Sequence, residues 1–285
     1  MLGTDQTSTC IMRDRDRASS LAVVSKLKVG KIWRGKRYHI VHSRLFYGTK
    51  YSPYRRAIEA HKDRVQTKGI EEMISAPGGG SIVTILDPEG FPLNLIHGQT
   101  PASPKPMPAK LIHNDESSKP RKRQFQRFQP GPAAVHKLGH FGLVSADFPS
   151  LATWYTQHFN IIPSDMLYVN LPDGQRREVA MFAHLDRGQG LVDHHSIFLS
   201  SLTPDSTIPE PHVHHCSFEV HDYDTQALGH QWLAEKKYQN VWGLGRHILG
   251  SQIFDYWYVN HFNILCGLCF GVLLSASLSA WCGVV

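Results

Sequence analysis

Histidine supplies the unusual chemistry of this chain. Of 18 histidines, twelve fall between His136 and His247. Two segments carry one local pattern, His-x-x-apolar: GHFGL around His140 and HHCSF around His215. Successive strand side chains point to opposite faces, so each histidine takes one face while the residues after it pack. If the strands belong to sheets that curl together, the two imidazoles converge, and convergent imidazoles are the start of a transition-metal site. The competing reading is two satisfied core histidines. Their equivalent positions in two structural repeats bring the readings level.

The elements that must position these residues are legible in part. Residues 1–37 are polar and basic, show no fold signal, and are expected to be disordered. RLFYGTKY (44–51) reads as a strand, and SPYRRAIEAHKDRVQTKG (52–69) as a helix with Ser52 as N-cap, Pro53 at the first position and Gly69 as stop. Short strands follow over 71–98, separated by the turn signals APGGG and DPEG. These define a partial front module, 38–98. Residues 99–133 are rich in proline and charge and read as a linker. From Val135 the order is strand, helix (DFPSLATWYTQHFN), strands (REVAMFAHLD, HHSIFLSS, HHCSFEVHD), helix (DTQALGHQWLAEKKYQ), then GRHILGSQIFDYWY. LFYGTKYSPYRRAIEAHKDR and CSFEVHDYDTQALGHQWLAEKK share a strand–loop–helix plan, so repeated βαβββ units are the simplest account.

Bulk properties narrow the function classes. The chain of 285 residues has a net charge of +6, with basic residues gathered between Arg13 and Lys36 and in KPRKRQFQR (119–127). No aromatics interleave as base-stacking platforms, so these read as solvated surface or linker, and nucleic acid is not an expected partner. Five cysteines, three of them in the last 20 residues, form no disulfide framework and suit a reducing compartment. No secretory signal is visible at the start. The expected location is the cytoplasm.

Residues 130–257 resemble the catalytic half of an extradiol ring-cleaving dioxygenase, of the vicinal oxygen chelate superfamily that also holds glyoxalases and bleomycin-resistance proteins. The resemblance is carried by PGPAAVHKLGHFGL, DHHSIFL, HHCSFEVHD and GLGRHILGSQIFDYW, while APGGGSIVTILDPEGFPLNLIHGQ resembles the end of the family's front module. It implies an α+β fold of repeated βαβββ modules, with Fe(II), or alternatively Mn(II), held by two histidines and a carboxylate, and open positions for a catechol-like substrate and O2. His140 and His215 would be the imidazole ligands. His214 would replace His215 only after a one-residue slip, which turns it to the opposite face. His195 would handle a substrate proton and stabilise dioxygen, with His194 as its alternate. His247 and Tyr256, nine residues apart, would hydrogen-bond the substrate hydroxyls. Read without the resemblance, His194 and His195 serve equally well as strand-surface residues, Tyr256 as a packed aromatic and His247 as a loop residue. Specificity is expected to lie in LPDGQRREVAMFAHLDRGQG (171–190), and homo-oligomers are common in the family.

The family's carboxylate follows the tyrosine by about ten residues, and here that position is Cys266. Asn94 stands at the corresponding place after the DPEG turn in the front module, so no metal is expected there. Nothing acidic follows Tyr256, and the match stops near Tyr258. From Ile264 to Val285 there are 22 residues without charge, long enough to cross a bilayer. Residues 134–258 are therefore read as the catalytic-type module, and 259–285 as an apolar tail in place of its last strand. A joined foreign segment, from an unspliced intron or an alternative last exon, is preferred to an anchor through 264–285 or a buried helix. Three functions follow: an extradiol dioxygenase weakened by the lost ligand; another member of the same superfamily, either a glyoxalase-like isomerase, which would need two or more acidic ligands, or a metal-free binding module; and a membrane-tethered binding protein.

Overall fold

The computed structural model describes residues 70–103, 105–109, 111, 117, 122–123, 128–206 and 208–258, together with the backbone of Val259 and of five strands outside those ranges. It divides into two compact units: Met1–Lys105 with Pro149–Asn160, and Pro106–Phe148 with Ile161–Val285. The expected strand at 44–51 and helix at 52–69 lie outside the described residues.

The first unit holds a six-stranded sheet of β1 (Cys10–Ile11), β2 (Leu21–Val23), β3 (Ile40–His42), β4 (Glu71–Glu72), β5 (Ser81–Leu86) and β6 (Pro92–His97), in the order β1-β2-β3-β6-β5-β4. Alternation in SIVTIL buries Val83 and Ile85 beside their partners Leu95 and Leu93 of β6. The expected DPEG turn joins these strands. Asp87 Oδ1 accepts the backbone N–H of Glu89 (3.0 Å) and Phe91 (2.8 Å), and Gly90 supplies the positive φ of 83° the turn requires. Helix α1 (Phe148–His158) begins directly after Asp147, and its Tyr155 hydroxyl donates to Asp87 Oδ2 at 3.1 Å.

The second unit is an eight-stranded sheet plus a two-stranded ribbon. Its strands are β7 (Val135–Ser145), β8 (Ile161–Asn170), β9 (Arg176–Leu185), β10 (Leu191–Asp193), β11 (Ile197–Ser201), β12 (His212–Val220), β13 (Asn240–Arg246), β14 (Ile253–Val259), β15 (Ile264–Phe270) and β16 (Leu273–Ser275). The sheet order is β13-β14-β15-β12-β7-β11-β9-β8, and β10 pairs with β16. The sequence segments read as elements do not include β8, β10 or the first five residues of β13. Helix α2 (Tyr223–Glu235) is capped by Asp222, whose Oδ1 accepts the Thr225 N–H at 2.8 Å. The same carboxylate accepts the Leu111 N–H, which ties a residue of the expected linker to this unit.

One wiring recurs three times. β7 is parallel to β11, β12 to β15 and β3 to β6, and each closing strand is also antiparallel to an earlier strand of its motif: β11 to β9, β15 to β14 and β6 to β5. Residues 135–270 therefore contain two βαβββ motifs, joined where β7 and β12 pair antiparallel, and the second takes its closing strand β15 from beyond residue 258. The apolar segment does not leave the sheet short of a strand: ILCGLCF itself forms β15, between β14 and β12. An unbroken apolar run suits a strand flanked on both edges and joined in parallel to one of them. Among the described residues no helix is long and apolar enough to cross a membrane.

Candidate active site

His140 on β7 and His215 on β12 meet at the seam between the two motifs. A register shift makes this possible: Val213 pairs with Leu143 and His215 with Gly142, leaving His214 as the extra residue of a β-bulge. His215 is thereby set on the face of His140. The two Nε2 atoms lie 2.7 Å apart, with both rings buried. Nitrogens each about 2.1 Å from one ion at a right angle would be about 3 Å apart, so the pair is spaced as two neighbouring corners of a coordination sphere. His215 Nδ1 shares a 2.7 Å hydrogen bond with His214 Nδ1, which fixes the orientation of its ring. The bare backbone of Gly142 gives His215 its place, since a Cβ there would stand 2.9 Å from His215 Nδ1 and 3.0 Å from the Phe198 ring.

His195, just before β11, lies against His140 with ring centroids 3.9 Å apart, and the edge of Phe182 closes its other side at 5.0 Å. His194 points elsewhere. Its Nε2 meets Asp165 Oδ2 at 2.6 Å and its Nδ1 meets His195 Nδ1 at 2.9 Å. Asp165 follows a second bulge, at Ser164, where Pro163 pairs with Ala183 and Asp165 with Phe182. Ser164 Oγ donates to the His194 carbonyl and shares a hydrogen bond with His184 Nδ1, which pins the chain at this corner.

Tyr256 on β14 approaches His215 edge-on at 5.8 Å, and its hydroxyl shares a 3.3 Å hydrogen bond with His247 Nε2. His247 begins the loop from β13 to β14, closed by its N–H to Gln252 O. Gly250, at φ +69°, lets this loop rest on His194, because a Cβ there would lie 2.7 Å from the imidazole Cγ. Strand β14 is held from its other face. Buried Asp255 accepts from Trp257 Nε1 (2.6 Å), Asn240 Nδ2 (3.2 Å) and His230 Nδ1 (3.0 Å). The exposed Trp242 lies over Phe254 and Tyr256, extending the aromatic wall outward.

Burial, reinforced by neighbouring imidazoles, holds His140, His195 and His215 well below the usual histidine range. Burial also pushes His214 down to about 4. Burial, then His194, lowers His247. Neutral rings with available lone pairs suit metal ligation and proton acceptance at pH 7.

The five residues singled out from the sequence are thus brought together: His140, His215, His195, His247 and Tyr256. The third ligand is not. Among the described residues no three His, Cys, Asp or Glu side chains are grouped to hold an ion. Cys266, the position ten residues after Tyr256, pairs with Trp257 and Cys216, whereas Gly267 pairs with Tyr256 and Ser217. In the first unit the DPEG turn makes residues ten apart face each other, and buried Asn94 there accepts from Thr84 Oγ1 at 2.6 Å. Without that turn the spacing before β15 grows by one, so the carboxylate row falls to glycine. Asp165, Gly142, Phe182 and Phe198 were not foreseen. Only Gly142 left a signal, as one of two glycines bracketing His140 in LGHFGL.

Residues 137–256 match the family model of the Glyoxalase/Bleomycin resistance protein/Dioxygenase superfamily. The fold is the vicinal oxygen chelate fold, shared by solved structures of low identity. The Mn(II)-bound glyoxalase from Novosphingobium aromaticivorans superposes with a TM-score of 0.63 at 16% identity, covering 97% of this chain and 79% of that one. The 2,2',3-trihydroxybiphenyl 1,2-dioxygenase from dibenzofuran-degrading Sphingomonas wittichii strain RW1 gives 0.58 at 16%, covering 96% and 85%. The homoprotocatechuate 2,3-dioxygenase from Arthrobacter globiformis gives 0.60 at 15%, covering 95% and 74%. No curated protein matches in sequence.

Proposed function

We propose that this chain is an extradiol-dioxygenase-like protein that takes a catechol-type diol into the cup lined by His140, His195, His215, His247 and Tyr256. The observation that carries the reading is the His140–His215 pair at 2.7 Å, with His195 tilted against His140 and Tyr256, bonded to His247, edge-on to His215. A glyoxalase-like isomerase would need further acidic ligands, and none joins the pair among the described residues.

The donor set fits a divalent metal in part. His140 and His215 would hold iron, or manganese, through Nε2, and the bound ion would bring diol and O2 together as a Lewis acid. His195, neutral and lying against His140, would take a proton from a diol hydroxyl. Tyr256 Oη and His247 Nε2 would orient the second oxygen, and the aromatic wall of Trp242, Phe254 and Tyr256 would exclude water around the ring. Loss of the third ligand weakens metal binding by at least the roughly 10–100-fold seen for losses of outer contacts, so ring cleavage by this chain is weak.

Anaerobic Fe(II) titration of the full chain, followed by catechol and O2 with absorbance of the ring-opened product as readout, tests the reading. Expected are weak one-site binding and slow cleavage, both abolished by His140→Ala or His215→Ala. Binding or turnover indifferent to those substitutions would overturn it.

A further inference from the structure

Two buried residues that the reaction as proposed does not use, Asp165 and His194, make one chain of contacts ending on His195. Asp165 Oδ2 lies 2.6 Å from His194 Nε2, and His194 Nδ1 lies 2.9 Å from His195 Nδ1. Asp165 is 8%, His194 3% and His195 6% exposed, so water does not compete for these bonds. The geometry allows one ordering of protons when both rings are neutral. A carboxylate can only accept, so His194 carries its proton on Nε2 and donates it to Asp165. His194 Nδ1 is then a bare lone pair. The hydrogen bond between the two Nδ1 atoms must be donated by His195, which leaves His195 Nε2 unprotonated.

We propose that Asp165, acting through His194, fixes the tautomer of His195, so that its Nε2 is presented to the site as a proton acceptor and not as a donor. Asp165 and His194 are positioning residues, and the device is built into the backbone. The bulge at Ser164 brings Asp165 opposite Phe182, the residue whose ring closes the side of His195. Gly250 lets the β13–β14 loop press on His194 and keep its ring in line. Which nitrogen of a histidine is protonated follows from the bond its other nitrogen makes. Replacing the carboxylate of a Ser-His-Asp triad by an amide produces the wrong tautomer in the same way.

This inference rests on the proposed function only for the use to which the acceptor is put. The arrangement of protons can be read without metal, substrate or turnover. Long-range proton–nitrogen spectra of the full chain labelled with 15N-histidine test it, with His195 assigned by the resonances missing from His195→Gln. In the unsubstituted chain His195 should show a protonated Nδ1 and a pyridine-like Nε2. His194→Phe, similar in size and without an acceptor, and Asp165→Asn, whose amide donates to His194 Nε2, should move the pyridine-like shift of His195 from Nε2 to Nδ1. Asp165→Glu should restore the original pattern. A protonated His195 Nε2 in the unsubstituted chain, or an unchanged pattern in both His194→Phe and Asp165→Asn, would overturn the inference. The expected pattern in a chain that cleaves no ring would uphold the inference and count only against the proposed function.

Discussion

At the residue scale the site depends on what is left out as much as on what is present. Gly142 has no unusual φ; it is required because His215 and Phe198 occupy the space a methyl would need. Gly142→Ala should shift the His215 ring, cost about 1–3 kcal/mol of stability as over-packing does, and weaken Fe(II) binding more than tenfold, read by titration beside a denaturation curve. A second residue makes a pH-dependent contribution. Desolvation raises Asp87 from 3.8 to about 6 despite the hydrogen bonds from Phe91, Tyr155 and Glu89 that oppose it. A carboxyl with a raised folded pKa favours folding below its unfolded value, and that benefit is lost as pH rises through about 6. At roughly 1.4 kcal/mol per pH unit, Asp87→Asn should stabilise the chain by up to about 3 kcal/mol at pH 7.5 and by little at pH 4. Urea unfolding at both values checks this. His140 and His215 were legible from the sequence because they repeat at matched strand positions. Asp165 was not, since bulges at Ser164 and His214 reset the alternation by which a strand announces its faces.

At the scale of elements the decisive one is β15. Its uncharged composition reads equally well as a bilayer span or as a strand closed in on both edges, and composition alone cannot separate them; pairing with β12 and β14 does. Helices α1 and α2 were readable to within a few residues of their bounds, and β5 and β6 from the DPEG turn between them. β8 was not, because proline, serine and aspartate interrupt its apolar pattern in IIPSDMLYVN. The register of β15 also corrects where a ligand could be restored. Phe141 pairs with Ile197 and Phe198 follows, while Cys216 pairs with Cys266 and Gly267 follows, so Gly267 repeats the position of Phe198, whose ring approaches His215. Gly267→Glu should therefore raise Fe(II) affinity at least tenfold and Cys266→Glu should not. Equal gains from both, in paired titrations, would refute the register argument.

At the scale of the whole molecule, a strand near the end of the chain stands inside the eight-stranded sheet. Deleting 264–285 would strip β12 and β14 of their shared neighbour and expose two strand edges. The truncated chain should lose the cooperative heat-absorption peak of the second unit and elute as aggregate, whereas removal of a mere appendage would leave both unchanged. The arrangement of that sheet has one more consequence. Its halves are related by a local two-fold axis through the paired residues Phe141 and Cys216, and His140 and His215 are the residues immediately before them. A side chain beside such an axis is met by its own counterpart, so a doubled ancestral motif acquires two converging imidazoles from one residue. A third ligand has no such counterpart: it must arise in one half only, and it can be lost from that half while the pair on the axis stays intact.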